Sequence, residues 1–542
     1  MSTNISKVKR EELLKQVAEI RNKLMEHQDE NTNQLLAYLS NIEKDINGKK
    51  YGLVFEEHRE AVDELLENNV SVLIEDEGLK IDNGGQQNFL IEGDNLASLK
   101  LLEKTHKGKI DVIYIDPPYN TGHNDFIYDD AFVGGDDKFR HSKWLSFMKK
   151  RLSVAKNLLS ENGVMFISID DNEQSGLKML CDEIFGENLM EQYIWCLQDK
   201  TEGSFVKTAG LTVRKEHEYI LACFKKSGKR FKRYAGKREF SEGSFSNPDN
   251  DPRGPWFSGN ISRNGIKSTT GSKYYTIINP AGESFTRNWT LSKEEYSEAL
   301  QDGRIFFAKG GAGVPRLKIY QNEDIEIIQS SLFNDVHTSI TGKNELKELF
   351  GEAPFNFPKP TSLIARLLSI SAEKHSTILD FFAGSGTTGH AVMKLNAEDG
   401  GKRKFILCTN NENNICRDVT YERIKRVITK EDCKASLKYY KVDFVPITEQ
   451  VYYEYADKLL LHIKELVELE NGIDFDGNKK VAIYLTDEDL QEFTSSLGDT
   501  ATYKAVYVGH DVFVTPEIET KLNSLGIKIN IIPDYYYGEL RG

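Results

Sequence analysis

A short apolar run that ends on two consecutive prolines constrains this chain more than any other stretch. Residues 110–124 read IDVIYIDPPYNTGHN. Ile110 to Ile115 has the pattern of a strand buried on both faces of a sheet. Neither Pro117 nor Pro118 can donate a ladder hydrogen bond, so the strand must stop at Asp116 and continue as an extended loop. A carboxylate, two rigid carbonyls and the Tyr119 ring are thereby fixed at the carboxyl end of a strand, where open α/β sheets bind ligands. The Asp116 carboxylate and the Pro117 carbonyl can both accept from an exocyclic amino group, with Tyr119 stacked on the ring that bears it. Two acceptors on one planar NH2 draw the nitrogen towards sp3 character and aim its lone pair at an electrophile. A strand-ending turn with an ordinary surface Asp and Tyr would read the same way, so a second motif has to decide.

That motif lies ~260 residues downstream, where the spacing fits a strand, a turn and a helix. Ser376 to Phe382 (STILDFF) is another buried-strand pattern, carrying Asp380 near its end. Ala383-Gly384-Ser385-Gly386-Thr387-Thr388-Gly389 follows, then a helical run from His390 to Leu395. Glycines in such a turn allow positive φ and close approach to a ligand, and the helix amino terminus offers N–H groups to a carboxylate. No Gly-Lys-Ser/Thr closes the run, which excludes a P-loop, and a dinucleotide fingerprint fits poorly. The turn suits a carboxylate-bearing nucleoside cofactor whose ribose meets an acid after the next strand. Phe405 to Cys408 supplies that strand and Glu412 the acid.

Together these motifs resemble the amino-methyltransferases of the β class, in which Asp-Pro-Pro-Tyr precedes the S-adenosylmethionine motif. More closely, the chain resembles the modification (Mod) subunits of type III restriction–modification systems. The residues that carry this are Tyr114–Gly122, Trp144–Leu152, Ile167–Asn172, Asp251–Trp256, Arg304–Tyr320, Phe357–Thr361 (FPKPT) and Asp380–Thr388. The resemblance implies a Rossmann-like α/β methyltransferase sheet with an inserted target-recognition domain, a helical amino-terminal segment and a small carboxyl-terminal α/β domain. It implies methyl transfer from S-adenosylmethionine to adenine N6 in duplex DNA, with the base flipped out of the stack. Asp116, Pro117, Pro118 and Tyr119 would be catalytic. The cofactor would lie along Asp380 and Phe382 to Thr388, with Glu412, Lys359 and Pro360. Asn120 and Thr121 are assigned to the base pocket, and residues 120–132 to its cover. Asp94 is either a helix N-cap or a wall of the base or cofactor pocket. Adenine is favoured because Asp, not Ser, opens the motif. The resemblance further implies a homodimer and a separate helicase–nuclease (Res) partner, because the chain has no Walker motif or nuclease cluster. The alternatives are a catalytically silent DNA-recognition subunit, or a methyltransferase acting on N4-cytosine, RNA or protein glutamine.

Composition sets wide bounds. At 542 residues the chain is too long for one core and predicts two or more domains. Its 39% hydrophobic and 28% charged residues, with no membrane-length apolar run and no signal-peptide h-region, predict a cytoplasmic protein. The six cysteines lack Cys-x-x-Cys or Cys/His spacing, which argues for reduced thiols rather than disulfides or zinc. No metal is expected: Asp170, Asp171 and Asn172 read as turn and cap residues, and Asp474-Phe475-Asp476-Gly477 as a hairpin rather than a calcium loop. A net charge of −14 weighs little against DNA binding, since charges beyond ~8–10 Å are largely screened.

Along the chain, apolar spacing predicts helices within residues 1–80, at Leu13 to Leu24 and Leu35 to Ile42. The catalytic half of the methyltransferase domain is expected over 81–202, built of alternating strands and helices that imply parallel βαβ units. In its helix 144–159, Trp144, Leu145, Met148 and Leu152 share a face while Lys149, Lys150, Arg151 and Lys156 point outward. Residues 203–354 change character, with short strands, frequent glycine and basic residues interleaved with aromatics. Lys229, Arg230, Lys232 and Arg233 surround Phe231, and Arg253, Trp256, Arg263, Arg316 and Lys318 follow. This is the footprint expected for a phosphate backbone. A solvated face is the ordinary meaning of such a charge run, but its place between the two motifs favours target recognition. The cofactor half is expected over 355–440 and an α/β assembly domain over 441–542.

Overall fold

The computed structural model describes residues 5–26, 31–47, 55–123, 125–128, 131–197, 215–228, 231–236, 244–263, 271–321, 323, 325–430, 433–447, 462–475, 480–498, 502–509 and 511–532. The chain divides into two compact units, Met1–Lys229 with Ser331–Gly542, and Arg230–Ser330.

The first unit is built on a ten-stranded sheet. In chain order its strands are β1 (Asn69–Glu75), β2 (Gln86–Glu92), β3 (Ile110–Ile115), β4 (Leu159–Ile169), β5 (Met190–Cys196), β6 (His217–Phe224), β7 (Leu332–Phe333), β8 (Thr377–Asp380), β9 (Lys404–Thr409) and β10 (Ala435–Pro446). Across the sheet they run β1-β10-β2-β9-β8-β3-β4-β6-β5-β7. From β10 to β4 all neighbours are parallel. These are the strands whose sequences are continuously apolar: Val112 to Ile115, Ile378, Leu379 and Phe405 to Cys408 are buried, as expected of a sheet covered on both faces. The helices Asn95–His106, Arg140–Leu158, Gln174–Phe185, Thr361–Ser371 and Thr387–Asp399 are amphipathic or apolar segments lying between these strands in sequence.

The outer strands depart from a purely parallel pattern. β6 runs antiparallel to both β4 and β5, and β1 antiparallel to β10. This corrects the expected boundaries. His217–Phe224 (HEYILACF) is apolar enough to complete the sheet, and Ser339–Phe350 is a helix of the same unit, so the inserted unit is Arg230–Ser330 rather than 203–354. Likewise β1 and the end of β10 extend the sheet past residues 81 and 440.

The amino-terminal helices Ile5–Glu26 and Thr32–Asn47 pair through Arg21 and Glu43 at 2.8 Å, with Val17 and Leu39 buried. Towards the carboxyl end, Val481–Tyr484, Ala505–Val508 and Lys528–Ile531 form a parallel three-stranded sheet around Leu490, Val506, Val508 and Leu522. A helix spans Ile463–Asn471 in the expected assembly domain; residues 451–461, Asp476 and Gly477 lie outside the described residues. None of the six cysteines is joined in a disulfide. Among the described residues no helix is long and apolar enough to cross a membrane.

The second unit holds a three-stranded antiparallel sheet, Trp256–Asn260, Pro315–Tyr320 and Ile305–Phe307. A hairpin of Tyr274–Ile278 with Ser284–Asn288 and a helix Lys293–Gln301, opened by a Ser292–Glu295 capping box, enclose Ile261, Ile277, Trp289 and Tyr296. Two cations expected to face DNA are tied up within the unit, and one of them is turned inward. Lys318 is buried between Asp249 (2.5 Å) and Asp251 (2.8 Å), over the ring of a buried Trp256. Arg253 is committed to Asp251 (3.0 Å) and Asp302 (2.9 Å) and lies over Tyr320. Arg253 and Lys318 hold the Asp251 carboxyl well below the usual carboxylate range. Sequence spacing could not separate the buried Lys318 from Arg253, Arg263 and Arg316, which are exposed. Lys229 and Arg230 lie outside the described residues.

In the first unit, Lys438 of β10 is fully buried, 2.9 Å from Glu75 of β1, 2.6 Å from Glu468 and 3.0 Å from Asp474. One cation therefore ties three segments distant in sequence. Removing it strands carboxylates in the interior, which costs about 3–5 kcal/mol. Lys438→Met is expected to lower the urea midpoint of the first unit accordingly, as read by circular dichroism.

Candidate active site

The two motifs meet where the order of the strands reverses. β8 lies beside β3 in parallel register, Ile378 against Val112 and Leu379 against Ile113. Chain order then runs outward through β9 on one side and β4 on the other. This is a topological switch point, where the strand ends open a crevice. The Asp-Pro-Pro-Tyr loop and the glycine turn leave the sheet side by side, and Asp116, Pro118, Phe381, Phe382 and Gly384 line one cleft of about 570 Å3.

The proline loop is anchored from below. Trp144, fully buried, donates its indole N–H to the Pro118 carbonyl at 2.7 Å. Asn120 turns the chain with φ 56° and is itself buried, its amide donating to Glu173 (2.5 Å) and the Arg140 carbonyl (3.2 Å). Asn120 therefore shapes the loop rather than walling a base pocket. Thr121 closes a small turn on Asp125 at 2.9 Å.

Lys359 is placed differently from its expected cofactor role. Its Nζ is buried and lies 2.8 Å from both Asp116 oxygens, 3.6 Å from Glu218 and 4.9 Å from the centre of the Tyr119 ring. Burial favours the neutral amine, but Asp116 and Glu218 outweigh it and hold the ammonium above its ordinary pKa. The Tyr119 hydroxyl donates to Glu218 at 2.8 Å, and burial pushes its phenol far above the ordinary range, so it stays protonated. Pro360 sits at the N-cap of the helix Thr361–Ser371, whose first N–H donates to Glu345 at 3.1 Å.

Across the cleft, Asp380 fastens both ends of the glycine turn, accepting from the Phe382 N–H (3.0 Å) and from the Thr388 hydroxyl. Gly386 has φ 75° at the helix N-cap, and a Cβ at Gly389 would meet Ile424 at 2.6 Å, so neither tolerates a side chain. Arg423, fully buried, donates to Thr387 (2.8 Å), Ser385 (3.2 Å) and Glu345 (3.4 Å). Of the expected cofactor residues, Phe382, Gly384 and Glu412 line the cleft, whereas Asp380, Ser385, Thr387 and Thr388 are buried and hold the turn in shape. Ala383 is buried as well, its N–H donating to the Cys408 carbonyl at 3.1 Å.

Asp94 is the N-cap that sequence allowed, and it also faces the cleft. It caps the helix Asn95–His106 through the N–H groups of Leu96 (2.7 Å) and Ala97 (3.1 Å), and it lines the cleft. Arg151, expected to face outward, is fully buried instead, 2.9 Å from Glu60 and 3.5 Å from Asp94, over the Phe147 ring. Helical periodicity places it near the edge of the apolar face but cannot reveal Glu60, 91 residues earlier, as its partner. Glu60, Arg151, Glu218 and Arg423 were all invisible to motif reading. Among the described residues no group of three or more Asp, Glu, His or Cys could hold a metal.

A doubly wound sheet with an acceptor loop and a glycine turn facing one cleft defines a methyltransferase-type α/β domain. A DNA methylase family profile matches residues 110–421, more than half of the chain. The chain belongs to that DNA methylase family. It is 34% identical over 402 residues to the type III restriction-modification enzyme StyLTI Mod subunit of Salmonella typhimurium, covering 67% of this chain and 61% of that protein. The EcoPI Mod subunit of Escherichia phage P1 matches at 33% identity over 61% of this chain and 58% of its own length. The type II methyltransferase M.KpnI of Klebsiella pneumoniae is 33% identical, with 59% of this chain and 79% of that protein covered. The chain thus spans about three-fifths of the length of these Mod subunits.

Burial raises the Asp380 carboxyl to about 7, against the pull of its hydrogen bonds to Thr388 and Phe382. An acid raised in the fold binds its proton more tightly folded than unfolded, so its contribution to stability falls as pH rises from 3.8 to about 7. Asp380→Asn is expected to flatten that part of the stability–pH curve, measured by thermal unfolding across the interval.

Proposed function

We propose that this chain transfers a methyl group from S-adenosylmethionine to adenine N6 in duplex DNA, as the modification and recognition subunit of a type III restriction–modification system. The observation that carries the reading is that Asp116 and Gly384, on adjacent parallel strands, wall the same cleft. The Mod names of the relatives support the wider assignment. The partners it entails are double-stranded DNA, a second copy of the chain and a helicase–nuclease (Res) subunit, in the cytoplasm.

The residues fit the cofactor. Gly384 (φ 49°) and Phe382 offer backbone and a ring to the cleft, and Glu412 stands on its wall to receive ribose hydroxyls. S-adenosylmethionine supplies a methyl group already activated by a sulfonium leaving group, so the protein needs chiefly to position and to place charge. Asp116 and the Pro117 carbonyl accept from the base amino group and direct its lone pair into the cleft. Tyr119 stacks on the flipped base, held by Glu218. The Arg230–Ser330 unit reads the target, with exposed cations such as Arg233, Arg263 and Arg316 on its surface.

The test is transfer of tritiated methyl from the cofactor to duplex DNA, with the product digested to nucleosides. N6-methyladenine is the expected labelled product. Asp116→Ala is expected to lose at least about 10²–10³-fold in rate while cofactor affinity stays within a few-fold. Label entering protein or RNA but not DNA would reject the assignment, and labelled N4-methylcytosine would reject the adenine preference.

A further inference from the structure

Asp116 does not offer its full charge to a base amino group as it stands. Both of its oxygens lie 2.8 Å from the Lys359 ammonium. Each oxygen keeps a further lone pair, so an incoming amino group shares the carboxylate with that ammonium and competes with it for the same charge. A lysine displaced inside a buried site without another anion would carry an uncompensated charge, which strongly opposes the exchange.

Glu218 supplies the second anion. It lies on β6, paired with Trp195 of β5 and next to Tyr219, where the pairing of β6 with β4 ends, so its backbone is fixed by the sheet. Its side chain is largely buried, and its Oε2 stands 3.6 Å from Lys359 Nζ. The same oxygen accepts the Tyr119 hydroxyl at 2.8 Å. One buried ammonium is therefore bracketed by two carboxylates and shared unequally between them.

We propose that Glu218 is a positioning residue that takes over Lys359 when the target amino group arrives at Asp116, and that keeps the Tyr119 ring in place during the exchange. This rests on the methyltransferase reading above. The Lys359 charge is then never left without a close partner, and Asp116 regains acceptor capacity towards the base.

The test is a double-mutant cycle on methyl transfer to DNA, with cofactor and DNA affinities measured in parallel. Glu218→Gln keeps an acceptor for Tyr119 but removes the charge. It is expected to lower kcat on the order of tenfold, with cofactor affinity unchanged. In a Lys359→Met background no ammonium has to be relocated, so adding Glu218→Gln is expected to cost little more. Glu218→Asp, which keeps the charge at shorter reach, is expected to retain more activity than Glu218→Gln. An unimpaired Glu218→Gln enzyme, an equal loss in both backgrounds, or a Glu218→Asp enzyme worse than Glu218→Gln would overturn the proposal alone. A wild type that labels no DNA would overturn the functional reading, and this proposal with it.

Discussion

The parallel pairing of Thr377–Asp380 with Ile110–Ile115 is the constraint on which the site depends. Both segments are short, apolar and buried, and each ends in residues that cannot extend a ladder: two prolines in one case, a glycine turn in the other. Because the strands point the same way, both interruptions fall at the same edge of the sheet. A register slip would turn every side chain to the other face and separate the acceptor loop from the glycine turn. The catalytic geometry is thus set by ordinary hydrophobic pairing in the middle of the sheet, not by long-range contacts between the loops.

This much was readable from residue order. Strand-ending prolines at 117 and 118, and a strand–glycine–helix pattern at 376–395, each carry a local physical signature. The helix and strand positions around them followed from periodicity. What could not be read was pairing between charges far apart in sequence. Arg151 sits among lysines in a helix and by its neighbours belongs to solvent, yet Glu60 and Asp94 draw it inside. Lys359 follows two residues after Phe357 in a proline-rich turn, and nothing local tells that Asp116, 243 residues away, is its partner. Composition is equally silent on Lys318, which in sequence is one more cation in a basic stretch and in the fold belongs to Asp249 and Asp251.

These buried ions share a logic. Each of Arg151, Lys359 and Lys438 is surrounded by carboxylates from two or more separate segments. Such clusters add little net stability over apolar packing, but they punish any arrangement that leaves one member unpaired. They therefore act on specificity of assembly: a single loop cannot settle until its distant partners have arrived. At Arg151 and Lys359 the same restriction rigidifies the walls that a substrate would meet.

The return of the chain after the second unit has a consequence of its own. β7 pairs with β5, and β5 with β6, so the points where the chain leaves at Phe224 and comes back at Leu332 are stapled to one edge of the sheet. The Trp195 indole donates to the His337 carbonyl at 3.2 Å and Phe333 packs against Tyr193, fixing that return. Everything between these anchors can vary in length and composition without disturbing β3 or β8. A lineage carrying this scaffold can lengthen, shorten or replace that module while the paired strands that wall the cleft stay in place.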